Sequence, residues 1–156
     1  YEVGDYVNGA LCEQCPASNT TILKLQNLTA VAAAMGKRLI YECHGSGDMD
    51  EIAAFLIGAG EYHYYGKGGW SSTSGHWVDG VFGKQLGEPD PATYDPAAAS
   101  WKRTFKGGTV VTFNAETNTG RILWGSQATS PPPPPLDFTT FESSFLPAWK
   151  PRLSAT

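Results

Sequence analysis

Residues Arg38 to Trp70 read RLIYECHGSGDMDEIAAFLIGAGEYHYYGKGGW, and the order of elements within them sets the class of the whole chain. Arg38 to Cys43 is a short run rich in Leu, Ile and Tyr, of strand length. Asp48 to Ala59 predicts a helix. Asp48 and Glu51 have the spacing of an N-cap and its reciprocal partner, and Gly60 stands where a left-handed C-cap would fall. Glu61 to Tyr65 predicts a second strand, mostly aromatic or His. Two strands joined by a helix form a βαβ unit, which implies parallel neighbours. In such units functional residues gather at the carboxyl ends of the strands. Those ends carry Glu42, His44, Tyr64, Tyr65 and, just beyond, Trp70.

Upstream, Tyr6 to Glu13 predicts another strand, with Glu13 at its carboxyl end. Ser18 or Asn19 caps a helix reaching Met35, with Gly36 as C-cap. Within that helix Leu25, Leu28, Ala32 and Met35 share one face, which Ile22 extends. The chain to this point is two βαβ units sharing a strand. Downstream, Gly66 to Gly108 shows no sustained period and is read as a long, glycine-rich loop containing Trp70, His76 and Trp77, with one helical turn at Pro96 to Ser100. Thr109 to Asn114 and Arg121 to Trp124 then predict a β-hairpin. Pro131 to Pro135 is a stiff polyproline spacer. The expected organisation is a domain over 1–127, a linker over 128–136 and a tail over 137–156 with Phe138, Phe141, Phe145 and Trp149.

The composition narrows the function. Lys and Arg number 11 against 15 Asp and Glu, without clustering, so no nucleic-acid footprint is present. No apolar run approaches the roughly 20 residues of a membrane span. The chain opens at Tyr1 with neither an initiator Met nor a signal-peptide pattern, as expected of a processed chain or a piece of a longer one. Asn19-Thr20-Thr21 and Asn27-Leu28-Thr29 fit the N-glycosylation triplet and point to an extracellular or secretory location. Cys12, Cys15 and Cys43 lack the ligand number of a zinc site. Their expected use is one disulfide joining Cys43 to Cys12 or Cys15, with three buried thiols as the alternative.

The phrases AFLIGAGEYHYYGKGGW (Ala54–Trp70), LGEP (Leu86–Pro89) and WKRTFKGGTVV (Trp101–Val111) are similar to the closing part of TIM-barrel glycoside hydrolase-like proteins. The nearest likeness is to hypothetical glycosyl hydrolase family 15, over roughly Tyr6 to Trp124. The resemblance implies an α/β fold: a partial (β/α) barrel of about three parallel strands and two helices, followed by a long loop and a C-terminal hairpin. A whole barrel needs eight βα units over about 250 residues. The expectation is therefore a truncated barrel, a chain whose partner supplies further strands through the open sheet edge, or a reduced fold.

The resemblance also implies action on a polysaccharide. Glycoside hydrolysis uses two carboxyl groups about 5–5.5 Å or 6.5–9.5 Å apart. Glu13 and Glu42 are the candidate pair. Side-chain alternation weakens Glu42: if Tyr41 and Cys43 point inward, Glu42 points toward the helices. Candidate sugar-binding residues are His44, Tyr64, Tyr65, Trp70 and Trp77, since aromatic rings stack on the apolar faces of sugars. Glu61 begins its strand, Asp48, Asp50 and Glu51 complement a helix N-terminus, and His63 reads as a core histidine. No metal or cofactor site is read, and Gly45-Ser46-Gly47 lacks the outer glycines of a nucleophile elbow. Two functions stay open: a hydrolase-like chain that acts on or binds polysaccharide, and a non-catalytic carbohydrate-binding or matrix-assembly protein.

Overall fold

The computed structural model describes residues 9–12, 14–68, 78 and 80–126, the first four by backbone alone. The elements run β1 (Gly9–Cys12), α1 (Asn19–Ala34), β2 (Ile40–Gly45), α2 (Met49–Gly58), β3 (His63–Lys67), β4 (Thr93–Asp95), β5 (Ser100–Thr104), β6 (Val110–Asn114) and β7 (Thr119–Leu123). They build two open sheets. One is parallel, in the order β1-β2-β3, and the other antiparallel, in the order β4-β5-β6-β7.

This architecture corrects the expected partial barrel. In a barrel the helices form an outer ring with one face to solvent. Here α2 is the middle layer. Its Phe55 packs with Tyr41, Cys43 and Leu25 on the parallel-sheet side. Its Ala53, Ala54 and Ile57 pack against Trp101, Val111 and Phe113 of the antiparallel sheet. A helix apolar all round is a helix buried all round, and that is why the run IAAFLIG carries no polar face. The chain after β3 therefore supplies a second sheet where a loop and a hairpin were expected. The helical turn expected at Pro96 to Ser100 is instead the β4–β5 turn, with Ala99 at φ 45°.

The helix ends follow capping chemistry, with two corrections. Ser18 Oγ accepts from Thr21 N at 3.1 Å, and Gly36 leaves α1 at φ +62°. Asp48 caps α2 through Asp50 N at 2.8 Å, but Glu51 does not return to Asp48. Its carboxylate reaches Ser46 and Tyr65 instead. The C-cap of α2 is Ala59, in an extended conformation, and Gly60 takes no left-handed φ. The stub of α2 is held by Arg103 of β5, which donates to Leu56 O, Ile57 O, Ala59 O and Asp90 O at 3.0, 3.3, 2.6 and 3.0 Å. In α1, Ile22 and Leu25 are buried as the periodicity implies, but Met35 is exposed.

Cys15 and Cys43 form a disulfide, tying the segment after β1 to β2. Glu13, Trp70, His76, Trp77, the polyproline run and the tail lie outside the described residues. Among the described residues, no helix is long and apolar enough to cross a membrane.

Candidate functional site

The three parallel strands end at one crevice. Gln14, Cys15 and Pro16 follow β1, His44, Gly45 and Ser46 close β2, and Gly68 follows β3. With Glu51 of α2 they line a cavity of about 380 Å³. The carboxyl edge of a parallel sheet is where α/β proteins place ligands, because strand-to-helix loops there can vary without disturbing the core.

Two polar clusters meet at this edge. In the first, His44 is buried and its Nδ1 lies 2.8 Å from Gly68 O. A carbonyl only accepts, so Nδ1 carries a proton and donates it. The other ring nitrogen, Nε2, lies 3.0 Å from Glu42 Oε1. The Glu42 side chain is 47% exposed while that of His44 is 4% exposed. The pair thus connects a buried ring to a solvent-facing carboxyl.

The second cluster is the turn after β2. Glu51 Oε2 accepts from Ser46 N at 2.7 Å, Ser46 Oγ at 3.0 Å and Tyr65 Oη at 2.8 Å. Tyr65 Oη in turn accepts from Gly47 N at 3.1 Å. Gly47 sits at φ +84°, where a side chain would be strained and would press on Lys67 and Val78. Burial pushes the Tyr65 phenol well above its ordinary range, and the Glu51 carboxylate adds to the rise. Tyr65 therefore stays a neutral donor and fastens Gly45-Ser46-Gly47 to α2.

The candidate residues divide by face. Tyr41 and Cys43 turn toward the helices, so alternation places Glu42 and His44 on the opposite face of β2, away from them. That corrects the weakening of Glu42 noted from its position. Glu42 pairs in register with Tyr64 of β3, a residue 54% exposed whose side chain lies on the same face. Tyr65 points the other way, into Phe55 and Phe82 at ring separations of 5.5 and 6.3 Å. Tyr64 and Tyr65 thus cannot form one platform. Glu42, His44 and Tyr64 are brought together, and Tyr65 acts beneath them. Glu13, Trp70 and Trp77 are outside the described residues. Glu61 is exposed before β3, and His63 is a core histidine whose Nδ1 accepts from Gly60 N at 3.1 Å.

Sequence reasoning missed Gln14, Ser46 and Gly68 as lining residues and gave Glu51 to the N-terminus of α2, as capping partner of Asp48 and complement to the helix dipole. A signal for Glu51 existed: it is the one first-turn acid facing back toward the glycine-flanked Ser46. Among the described residues, no group of three or more His, Cys, Asp or Glu side chains is placed to hold a metal ion. The chain matches no protein-family model and no curated protein.

Proposed function

We propose that this chain is an extracellular carbohydrate-binding protein that holds a polysaccharide on the Glu42–Tyr64 face of its parallel sheet, beside the crevice at the carboxyl edge. The observation that carries the reading is the registered pair of Tyr64 and Glu42: an exposed phenol ring beside a half-exposed carboxyl backed by His44. A sugar presents an apolar C–H face and a rim of hydroxyls. Tyr64 supplies the stacking surface and Glu42 accepts from hydroxyls. The crevice beyond adds Gln14, Ser46 and Glu51 as further polar partners. The Cys15–Cys43 disulfide supports an oxidising compartment. The likeness of the Ala54–Trp70 and Trp101–Val111 phrases to glycoside hydrolase-like proteins points to the same ligand class.

Glycoside hydrolysis is the second reading, favoured by the half-exposed Glu42 carboxyl that the His44 ring backs at 3.0 Å. A carboxyl that faces solvent beside a bound sugar is the group that glycoside hydrolysis uses as general acid. On this reading Glu42 protonates the leaving oxygen. A third element concerns assembly. Among the described residues β1 and β3 each pair only with β2, and their outer edges are templates for a partner chain or a second copy.

Calorimetric titration with a panel of soluble β- and α-linked oligosaccharides, alongside a reducing-end assay, separates these readings. Binding that falls at least tenfold on Tyr64→Ala, with no new reducing ends, supports the binding protein. Release of reducing ends that stops in Glu42→Gln supports the hydrolase. Absence of binding to every oligosaccharide overturns both. A sedimentation coefficient independent of concentration overturns self-association through the strand edges.

A further inference from the structure

Helix α1 has an unusual outer surface. Its sequence, NTTILKLQNLTAVAAA, contains a single charged residue, Lys24, whose Nζ lies 5.7 Å over the Tyr41 ring. A helix on the outside of a protein normally presents a charged face to water. Here the face opposite buried Ile22 and Leu25 carries Leu23 at 49% exposure, Val31 at 41% and, at the C-cap, Met35 at 42%. At 3.6 residues per turn, Leu23, Asn27, Ala30, Val31 and Ala34 fall within an arc of about 100°. Asn27 stands near the middle of that arc, is exposed, and is the first residue of Asn27-Leu28-Thr29.

We infer that Asn27 is an N-glycosylation site and that its oligosaccharide covers the apolar stripe of α1. Two independent observations meet at this residue: an acceptor triplet, and an exposed apolar face centred on it. A bulky, strongly hydrated glycan keeps such a face from association. The inference rests on the extracellular location within the proposed function. In the modification, Asn27 Nδ2 bonds to the anomeric carbon of an oligosaccharide carried on a polyprenyl diphosphate. The bond from that carbon to the diphosphate oxygen breaks and the polyprenyl diphosphate leaves. One Nδ2 proton passes to a base of the transferase. The triplet is read on the nascent chain, before Thr29 Oγ1 donates to Leu25 O in the finished helix at 3.0 Å.

The other triplet is committed elsewhere. Asn19 Oδ1 accepts from Trp101 Nε1 at 2.8 Å, joining the start of α1 to β5. Thr21 is buried, and its Oγ1 donates to Pro16 O at 2.8 Å. A glycan on Asn19 would sit in the seam between α1 and the antiparallel sheet, so Asn19 is a structural residue.

The test is secretion of the full chain from a glycosylating host, followed by intact mass and glycopeptide mapping. One glycan is expected, on Asn27, absent from Asn27→Gln and Thr29→Ala and present in Asn19→Gln. Mapping of the unmutated chain assigns the site even if Asn19→Gln fails to fold. Removal of the glycan with a peptide-N-glycosidase should raise hydrophobic-dye binding at least twofold and leave oligosaccharide titrations unchanged. An unmodified Asn27, or a glycan confined to Asn19, overturns the site. Unchanged dye binding after deglycosylation overturns the covering role. Because the oligosaccharide titration is read separately, failure here is distinct from failure of the proposed function.

Discussion

Replacing Tyr65 with Phe removes one oxygen and leaves the ring in place against Phe55 and Phe82, so the aromatic packing is kept. The oxygen has two bonds, a donation to Glu51 Oε2 and an acceptance from Gly47 N. A hydrogen bond to a charged group contributes about 1.5–3 kcal/mol, and one to a neutral amide about 0.5–1.5 kcal/mol. Glu51 keeps its bonds from Ser46 and is partly open to water, so its loss falls at the lower end. The expected cost is about 1.5–2.5 kcal/mol in denaturant unfolding near neutral pH. A second signature is alkaline. The folded phenol is held above its unfolded value of 10.0 by burial. The unfolded chain therefore releases this proton first, and stability that is whole below that pH is lost as pH rises through the folded value. Tyr65→Phe lacks this contribution, so the stability difference between the two proteins should narrow above pH 10. Paired urea titrations from pH 7 to pH 11 read both effects. A cost below about 0.5 kcal/mol, or a gap that does not narrow with pH, would refute the assigned role of Tyr65.

Arg103→Met should destabilise the fold by about 2–4 kcal/mol, because four backbone carbonyls lose a charged donor at once. Arg103→Lys should recover less than half of this in thermal unfolding, since an ammonium cannot fork among them. Cys15→Ser with Cys43→Ser opens a loop of sequence separation 28 and should cost about 3.5 kcal/mol by loop entropy, read by urea unfolding of both proteins. Burial lowers the pKa of His63 from 6.5. The unfolded chain thus takes up this proton first, and wild type should lose stability relative to His63→Gln as pH falls below about 6.5, seen in urea titrations between pH 7 and pH 4.5.

The two βαβ units were legible because each boundary has local chemistry: Ser18 and Asp48 as N-caps, Gly36 leaving α1 at φ +62°. The antiparallel sheet was only half legible. β6 and β7 alternate and announce a hairpin. β4 is three exposed residues between Pro91 and Pro96, and β5 carries Lys102 and Arg103, so neither shows an apolar period. The all-round apolarity of α2 held the missing information, since a helix with no polar face needs a layer on both sides. At the site, alternation puts Glu42, His44 and Tyr64 on one face of the sheet, but β2 and β3 run on to Gly45 and Lys67, so Glu42 and Tyr64 lie within the strands and not at the ends expected from the sequence. The separation of Tyr64 from Tyr65 follows from alternation along a strand and required only knowing which face of β2 meets the helices. Arg103 could not be read at all: its α2 partners are backbone carbonyls 44 to 47 residues away.

Tyr64, 54% exposed on its face of the sheet, carries the proposed platform. Wild type and Tyr64→Ala should unfold within about 0.5 kcal/mol of each other, as expected for an exposed surface change. In calorimetric titration with the oligosaccharide panel, wild type should bind at least one member, and Tyr64→Ala should bind it at least tenfold more weakly. Equal affinity in the two proteins would contradict a saccharide platform on the Glu42–Tyr64 face of the parallel sheet.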